Sequence, residues 1–226
     1  MLDTKKPHNL NREATLFFLA VIATIKILYT FRHQPILHDY LSTIVAVILI
    51  YPALLYVEKR KIPIRFFEKS EEVISSLKLF TLTSAIIFPL FLGLSHLVLT
   101  HFLNLTFQPN STGLSLTFCF SQIILVGFPE ELFFRGYLQS FLKFRFDDQI
   151  SFLKPLHLEA TYSIPLSAII FAASHSLIAF QWWHFSIFFP ALVFGWLREK
   201  TNGLVAPILF HALSNIVITW IGASYR

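Results

Sequence analysis

Residues 114–142 read LSLTFCFSQIILVGFPEELFFRGYLQSFL, an apolar run in which the only charged side chains are Glu130, Glu131 and Arg135. A transmembrane helix needs about 20 predominantly apolar residues to cross a hydrocarbon core of about 30 Å. The run of 29 residues exceeds that length. It therefore predicts a span that either tilts strongly or continues as a helix along the membrane surface.

The composition of the whole chain also indicates a membrane protein. Of its 226 residues, 55% are hydrophobic and 14% are charged, whereas about a quarter of the residues are charged in a typical soluble domain. So much apolar surface does not fit into one globular core, and lipid is its natural solvent. The net charge is +5, but the basic residues form short clusters between apolar runs. This pattern argues against a nucleic-acid partner.

Seven apolar segments are predicted to cross the bilayer. Basic residues concentrate on alternate connections, since 58–69 carries five of them and 102–113 carries none. Such clusters face the cytoplasm, which predicts a cytoplasmic N-terminus, an outside C-terminus and an odd number of spans. We interpret residues 1–226 as one all-α, polytopic integral membrane domain. The predicted spans are 14–31, 41–57, 78–101, 114–142, 163–180, 184–198 and 203–222.

Three charges lie deep inside the fourth span. A charge at the bilayer centre costs at least about 2.5–3.5 kcal/mol on insertion scales, which makes such residues functional candidates. Glu131 and Arg135 are four residues apart, so on a helix they share a face and can pair. Glu130 points about 100° away from that face. A salt bridge that only locks helices together would explain Glu131 and Arg135 but not Glu130. Pro129 frees a backbone carbonyl one turn earlier and predicts a kink or room for water.

Two histidines and an amide lie inside later spans. His175 lies in the fifth span, and His211 and Asn215 lie one turn apart on the same face of the last span. A lone intramembrane histidine is often only a hydrogen-bonded packing residue. Counted from the cytoplasmic ends of their spans at 1.5 Å per residue, Glu130, His175 and His211 lie about 20, 18 and 14 Å deep. We therefore expect these three side chains to share one layer.

Three motifs follow one another in the second half of the chain. EExxxR occurs at Glu130–Arg135, FxxxH at Phe171–His175 and HxxxN at His211–Asn215. They resemble the motifs of the CAAX-protease and bacteriocin-processing family, which are glutamate-dependent intramembrane endopeptidases related to the Ras-converting CAAX endoprotease. The resemblance covers residues 127–215. That family commonly has eight helices, so an eighth helix stays open beside the seven predicted here.

The resemblance implies a catalytic core at about 114–222 and a role for each motif residue. Glu130 would act as general base, with His175 holding and polarising the attacking water. His211 and Asn215 would donate hydrogen bonds to the oxyanion of the tetrahedral intermediate. The reaction would yield two peptides, cut near the cytoplasmic face of the membrane.

The remaining motif residues and the cofactor follow from the same resemblance. Glu131, held by Arg135, would orient the site. No cofactor is expected, because the carboxylates and histidines suffice to activate water. The alternative is a zinc ion bound by Glu130 and the two histidines, which would activate the water itself. The chain lacks an HExxH pair on one helix, which favours the metal-free interpretation.

The expected partners are the lipid bilayer and a membrane-anchored protein or peptide. The substrate could be a prenylated C-terminus, a bacteriocin leader or the C-terminal sorting helix of a surface protein. The resemblance favours protein processing in a bacterial cytoplasmic (inner) membrane. Two non-enzymatic alternatives stay open, namely a proton-coupled transporter that uses the acidic pair and a non-catalytic immunity or binding protein.

Overall fold

The computed structural model describes residues 8–60, 65–146 and 161–226. The predicted all-α class is confirmed, because these ranges form seven helices and no sheet. Helix α4 alternates α-helical turns with two π-helical segments, and α3 ends in a π-helical turn. The helices are α1 His8–Thr30, α2 Pro35–Arg60, α3 Ser70–Leu97 continuing through Val98–Phe102, α4 116–146, α5 Ser163–Ile178, α6 Phe188–Thr201 and α7 Val205–Ser224.

The helices correspond in order to the seven predicted spans. Five of them (α1, α2, α3, α4 and α7) are long and apolar enough to cross a membrane. The chain is thus an integral, multi-pass membrane protein. The predicted span 184–198 is wrong at its start, because a 3-10 helix covers Trp182–Ile187 and α6 begins only at Phe188. With 14 residues, α6 is about 21 Å long, shorter than the hydrocarbon core. Four basic residues that enter the charge alternation, Lys5, Lys6, Lys61 and Lys154, lie outside the described residues.

The contacts between the described connections and helix ends agree with the two groups of connections that the charge alternation predicts. At one end, the connection after α2 lies against the start of α7. At the other end, Thr106 and Arg226 exchange backbone hydrogen bonds of 2.7 and 3.2 Å. At the end of α5, the carbonyl of Ile178 accepts a bond of 2.8 Å from Nζ of Lys26 on α1. Which end faces the cytoplasm stays a prediction.

Helix α4 forms the centre of the bundle. All eight residues of its segment Leu132–Gln139 are buried. Phe133 stacks on Phe18 of α1, with ring centroids 5.8 Å apart. Tyr137 meets Tyr56 of α2 edge to face at 5.5 Å. Aromatic pairs of this kind contribute roughly 0.5–1.5 kcal/mol beyond the area they bury. This packing fixes the rotation of α4, and with it the direction in which its acidic pair points.

Residues 65–69, which we call the linker strap, belong to the connection between α2 and α3 and lie against three other helices. The ring of Phe66 fills a notch at Gly136 of α4, where an added Cβ would come within 2.6 Å of that ring. The carbonyl of Arg65 accepts a hydrogen bond from Arg198 of α6. The strap therefore joins the first half of the chain to the helices that carry the motifs.

Candidate active site

Two π-helical segments flank the acidic pair on α4. Gln122–Gly127 precedes the pair and Leu132–Gln139 follows it, with the short α-helical turn Phe128–Glu131 between them. Pro129 is the second residue of this turn and has no N–H to donate to the preceding turn. The break in regular helix that Pro129 predicts thus takes the form of π-helical turns, which are frequent at functional sites.

Glu131 and Arg135 form the ion pair that their spacing predicts. Nη1 of Arg135 donates to Oε1 of Glu131 at 3.1 Å, and both side chains are fully buried. Nη2 donates to the carbonyl of Ala191 on α6 at 3.2 Å. The guanidinium also lies 4.2 Å from the ring centre of Phe171 and 5.0 Å from that of Phe194. Because buried charges need both a partner and further contacts, this arrangement ties α4 firmly to α5 and α6.

Glu131 has a second partner, which the sequence did not predict. Nδ1 of His211 on α7 lies 2.8 Å from Oε1 of Glu131. An ionised carboxylate only accepts hydrogen bonds, so Nδ1 carries the proton and donates it. The His211 ring also stacks on Phe194, with centroids 4.8 Å apart. Gly127 permits the close approach of the two helices, because a Cβ there would lie 3.1 Å from the carbonyl oxygen of Ile208 on α7.

Glu130 faces the two histidines. Its Oε2 lies 3.8 Å from Nε2 of His175 and 3.8 Å from Nε2 of His211. These distances exceed a direct hydrogen bond, and Oε2 is a buried atom without a hydrogen-bond partner in the described part of the chain. The side chains of Glu130 and His175 are 19% and 31% exposed. The structure thus brings the three residues together, as the depth estimate predicts, and leaves their cluster open on one side.

The orientation of His175 follows from its own helix. Its Nδ1 lies 3.0 Å from the carbonyl oxygen of Phe171, four residues earlier. A carbonyl only accepts, so Nδ1 carries the hydrogen. When its ring is neutral, each of His175 and His211 therefore presents an unprotonated Nε2 to Glu130. Both ends of the FxxxH motif have a structural role, because Phe171 supplies the carbonyl that holds His175 and the ring beneath Arg135.

Asn215 lies one turn beyond His211 and is held by a residue that sequence reasoning missed. Its Nδ2 donates to Oε1 of Gln122 on α4 at 3.0 Å. The available signal for Gln122 was an amide inside an apolar span, eight residues before Glu130. The structure therefore places all six predicted site residues along the interface of α4 with α5, α6 and α7.

The grouping of possible metal ligands bears on the zinc alternative. Among the residues that the structure describes, no three or more His, Cys, Asp or Glu side chains form a group that could hold a metal ion. The two histidines and Glu130 approach one another only through the pairwise distances given above. Zinc dependence is therefore a question for experiment, and the expectation of a metal-free site stays a prediction.

Comparison with known proteins agrees with the motifs. Residues 111–217 match a family model described as Type II CAAX prenyl endopeptidase Rce1-like. The matched segment contains all three motifs and every side chain of the cluster. The resemblance to the CAAX-protease family is thereby confirmed, and this family is a family of proteases. No curated protein and no solved structure matches the chain.

Proposed function

We propose, from the CAAX-protease family that residues 111–217 match, that this protein is a glutamate-dependent intramembrane endopeptidase. The observation that carries the proposal is the position of Oε2 of Glu130, 3.8 Å from Nε2 of both His175 and His211. A carboxylate and two imidazole nitrogens around one small space are groups that can hold a water molecule and remove its proton. The scissile peptide bond would lie at the open side of this cluster.

The geometry supports activation of water by Glu130. The carboxylate oxygen and the unprotonated Nε2 of His175 are both acceptors, and a water between them would donate one hydrogen to each. Its lone pair would then point toward the substrate. The water oxygen bonds to the carbonyl carbon while its proton moves to Glu130. Glu130 returns that proton to the amide nitrogen as the C–N bond breaks, which yields a carboxylic acid and an amine.

In this proposal, His211 and Asn215 donate hydrogen bonds to the oxyanion of the tetrahedral intermediate. Because Nδ1 of His211 is bonded to Glu131, its Nε2 can donate only when the ring is an imidazolium. The carboxylate of Glu131 stabilises that form, as an orienting carboxylate does for a catalytic histidine. Asn215 would donate the second Nδ2 hydrogen, while the bond to Gln122 holds its amide in place. Donors fixed before the reaction lower the barrier most effectively.

A chelator distinguishes the metal-free mechanism from the zinc alternative. We expect purified protein to retain full activity after prolonged treatment with a tight zinc chelator, because no step above requires an ion. The measurement is the cleavage rate in detergent micelles before and after chelation, with a zinc metalloprotease as the positive control. Loss of activity on chelation, followed by recovery with added zinc, would show that the histidines bind a metal.

The substrate class follows from where the site lies. The cluster is within the membrane-spanning region, so the cleaved segment would be a stretch next to a membrane anchor. A protein with a prenylated C-terminus, a bacteriocin leader or a C-terminal sorting helix offers such a segment. We propose a role in protein processing in a bacterial cytoplasmic membrane, with cleavage near its cytoplasmic face.

Comparison of cellular proteins tests the proposed function. Cells that carry Glu130→Ala or His211→Ala are expected to accumulate uncut membrane-anchored precursors, which cells with the wild-type chain process. His101→Ala, which removes an exposed histidine of α3, serves as the control and should process normally. Quantitative proteomics of peptide termini measures both precursors and products. An unchanged precursor pool in both site variants would contradict the protease proposal. Ion-driven uptake into vesicles by the purified protein would then indicate a transporter.

A further inference from the structure

The last helix lacks a cap of its own. The residue before its first turn is Leu204, whose side chain cannot accept a hydrogen bond. The first N–H groups of a helix have no partner inside the helix and need one from elsewhere. Pro207 removes one of these donors from the first turn, and Ile208 already bonds back to the carbonyl of Leu204 at 3.0 Å. The N–H groups of Leu204, Val205 and Ala206 therefore remain for acceptors outside the helix.

Glu68 of the linker strap supplies that acceptor from 136 residues away. Its Oε2 accepts from the N–H of Leu204 at 3.1 Å, and its Oε1 accepts from that of Val205 at 3.1 Å. Ser76 of α3 donates to Oε1 at 2.9 Å and holds the carboxylate in place. Gly203 leaves the space for it, since a Cβ at that position would lie 1.9 Å from the Glu68 carboxyl carbon. These contacts form a close-fitting cap for two of the three N–H groups.

We propose that Glu68 is a positioning residue that sets the place of His211 in the active site. This inference rests on the proposed function. Val205 and His211 lie on one uninterrupted helix, six residues or about 9 Å apart. A shift at the start of this helix therefore displaces His211 by nearly the same distance. Two distances depend on its position, namely the 2.8 Å from Nδ1 to Oε1 of Glu131 and the 3.8 Å from Nε2 to Oε2 of Glu130.

The charge of Glu68 contributes to this role. A carboxylate at the N-terminus of a helix interacts favourably with the partial positive charge of the helix dipole. Hydrogen bonds from backbone N–H groups to an ionised acceptor are also about twice as strong as neutral ones. The strap is joined to α6 through Arg198 as well. The positions of α6 and α7 are thus both set by a segment that contains none of the three motifs.

The test is the kinetics of Glu68→Ala, with a matched control. We expect kcat to fall about tenfold to a hundredfold, since two charge-assisted bonds to the helix are lost, while KM changes by less than about twofold because Glu68 does not touch substrate. The control, Glu71→Ala, removes an equal charge from an exposed position on α3 and should leave kcat unchanged. Thermal unfolding in the same detergent shows whether each variant is folded.

Chemical rescue separates positioning from a general loss of stability. Sodium formate offers a small carboxylate that fits the space vacated in Glu68→Ala, so it is expected to restore part of kcat, whereas equal sodium chloride is not. Glu68→Asp retains the carboxylate and should keep most of the activity. The inference is overturned if Glu68→Ala cleaves at the wild-type rate, or if activity is lost without recovery in formate. A wild-type chain that cleaves nothing would instead contradict the proposed function.

Discussion

Glu130→Gln is expected to lower kcat by about 10²–10⁴-fold, the range that a positioned general base contributes. Glutamine has nearly the same shape and keeps one acceptor oxygen, but it cannot take the proton from water. KM should change little, because the variant retains the volume and polarity of the open side of the cluster. The measurement is single-turnover cleavage of a labelled membrane-anchored peptide in micelles, which reports the chemical step alone.

Two further variants make this result specific to the base. Glu130→Asp keeps the carboxylate but withdraws it by one methylene, so we expect an activity between those of wild type and Glu130→Gln. Asp39→Asn neutralises an exposed carboxylate on α2 and should cleave normally. A Glu130→Gln protein with full activity would remove Glu130 from the mechanism. The assignment of the water-activating role to this residue would then be wrong.

Arg135→Met is expected to have the largest effect on stability. The substitution removes the guanidinium partner of the buried Glu131 carboxylate and leaves it with only the hydrogen bond from His211. Removing one member of a buried ion pair costs about 3–5 kcal/mol. It also removes the contacts of the guanidinium with Phe171 and Phe194. The free energy of unfolding, measured by denaturant titration in mixed micelles, should fall by that amount. Arg12→Met, at an exposed position of α1, is the control and should change it little.

A double variant separates stability from activity at this pair. Replacing both partners by neutral residues of similar size is often close to neutral for stability. Glu131→Gln with Arg135→Met should therefore recover much of the lost free energy of unfolding. It should not recover cleavage, because an amide still accepts from Nδ1 of His211 but lacks the charge that stabilises the imidazolium. If the double variant cleaves at the wild-type rate, the charge of Glu131 has no part in the reaction.

Local features of the site could be predicted from the sequence. The pairing of Glu131 with Arg135 follows from helical periodicity alone, because residues four apart lie on one face whatever the helix packs against. The shared layer of Glu130, His175 and His211 follows from the fixed rise per residue and from the membrane, which holds the ends of all spans near two planes. The first prediction needs only one helix, and the second needs only a reference plane that all helices share.

Contacts between helices could not be predicted in this way. The bond from His211 to Glu131 depends on how far each helix is rotated about its axis. The two π-helical segments of α4 change that rotation, because each π turn contains an extra residue. The bond between Gln122 and Asn215 depends on the same rotation. A sequence read with a uniform period of 3.6 residues places these side chains on the wrong part of the helix surface.

The sequence by itself determined the membrane-embedded all-α class, the order of the helices and the residues of the motifs, because hydrophobic length and helical spacing are local properties. Only the tertiary structure decided that Glu131 orients toward His211 and that Glu68 caps the last helix. Each of these contacts joins segments at least 80 residues apart. Their geometry comes from the packing of side chains between helices, which no local pattern specifies.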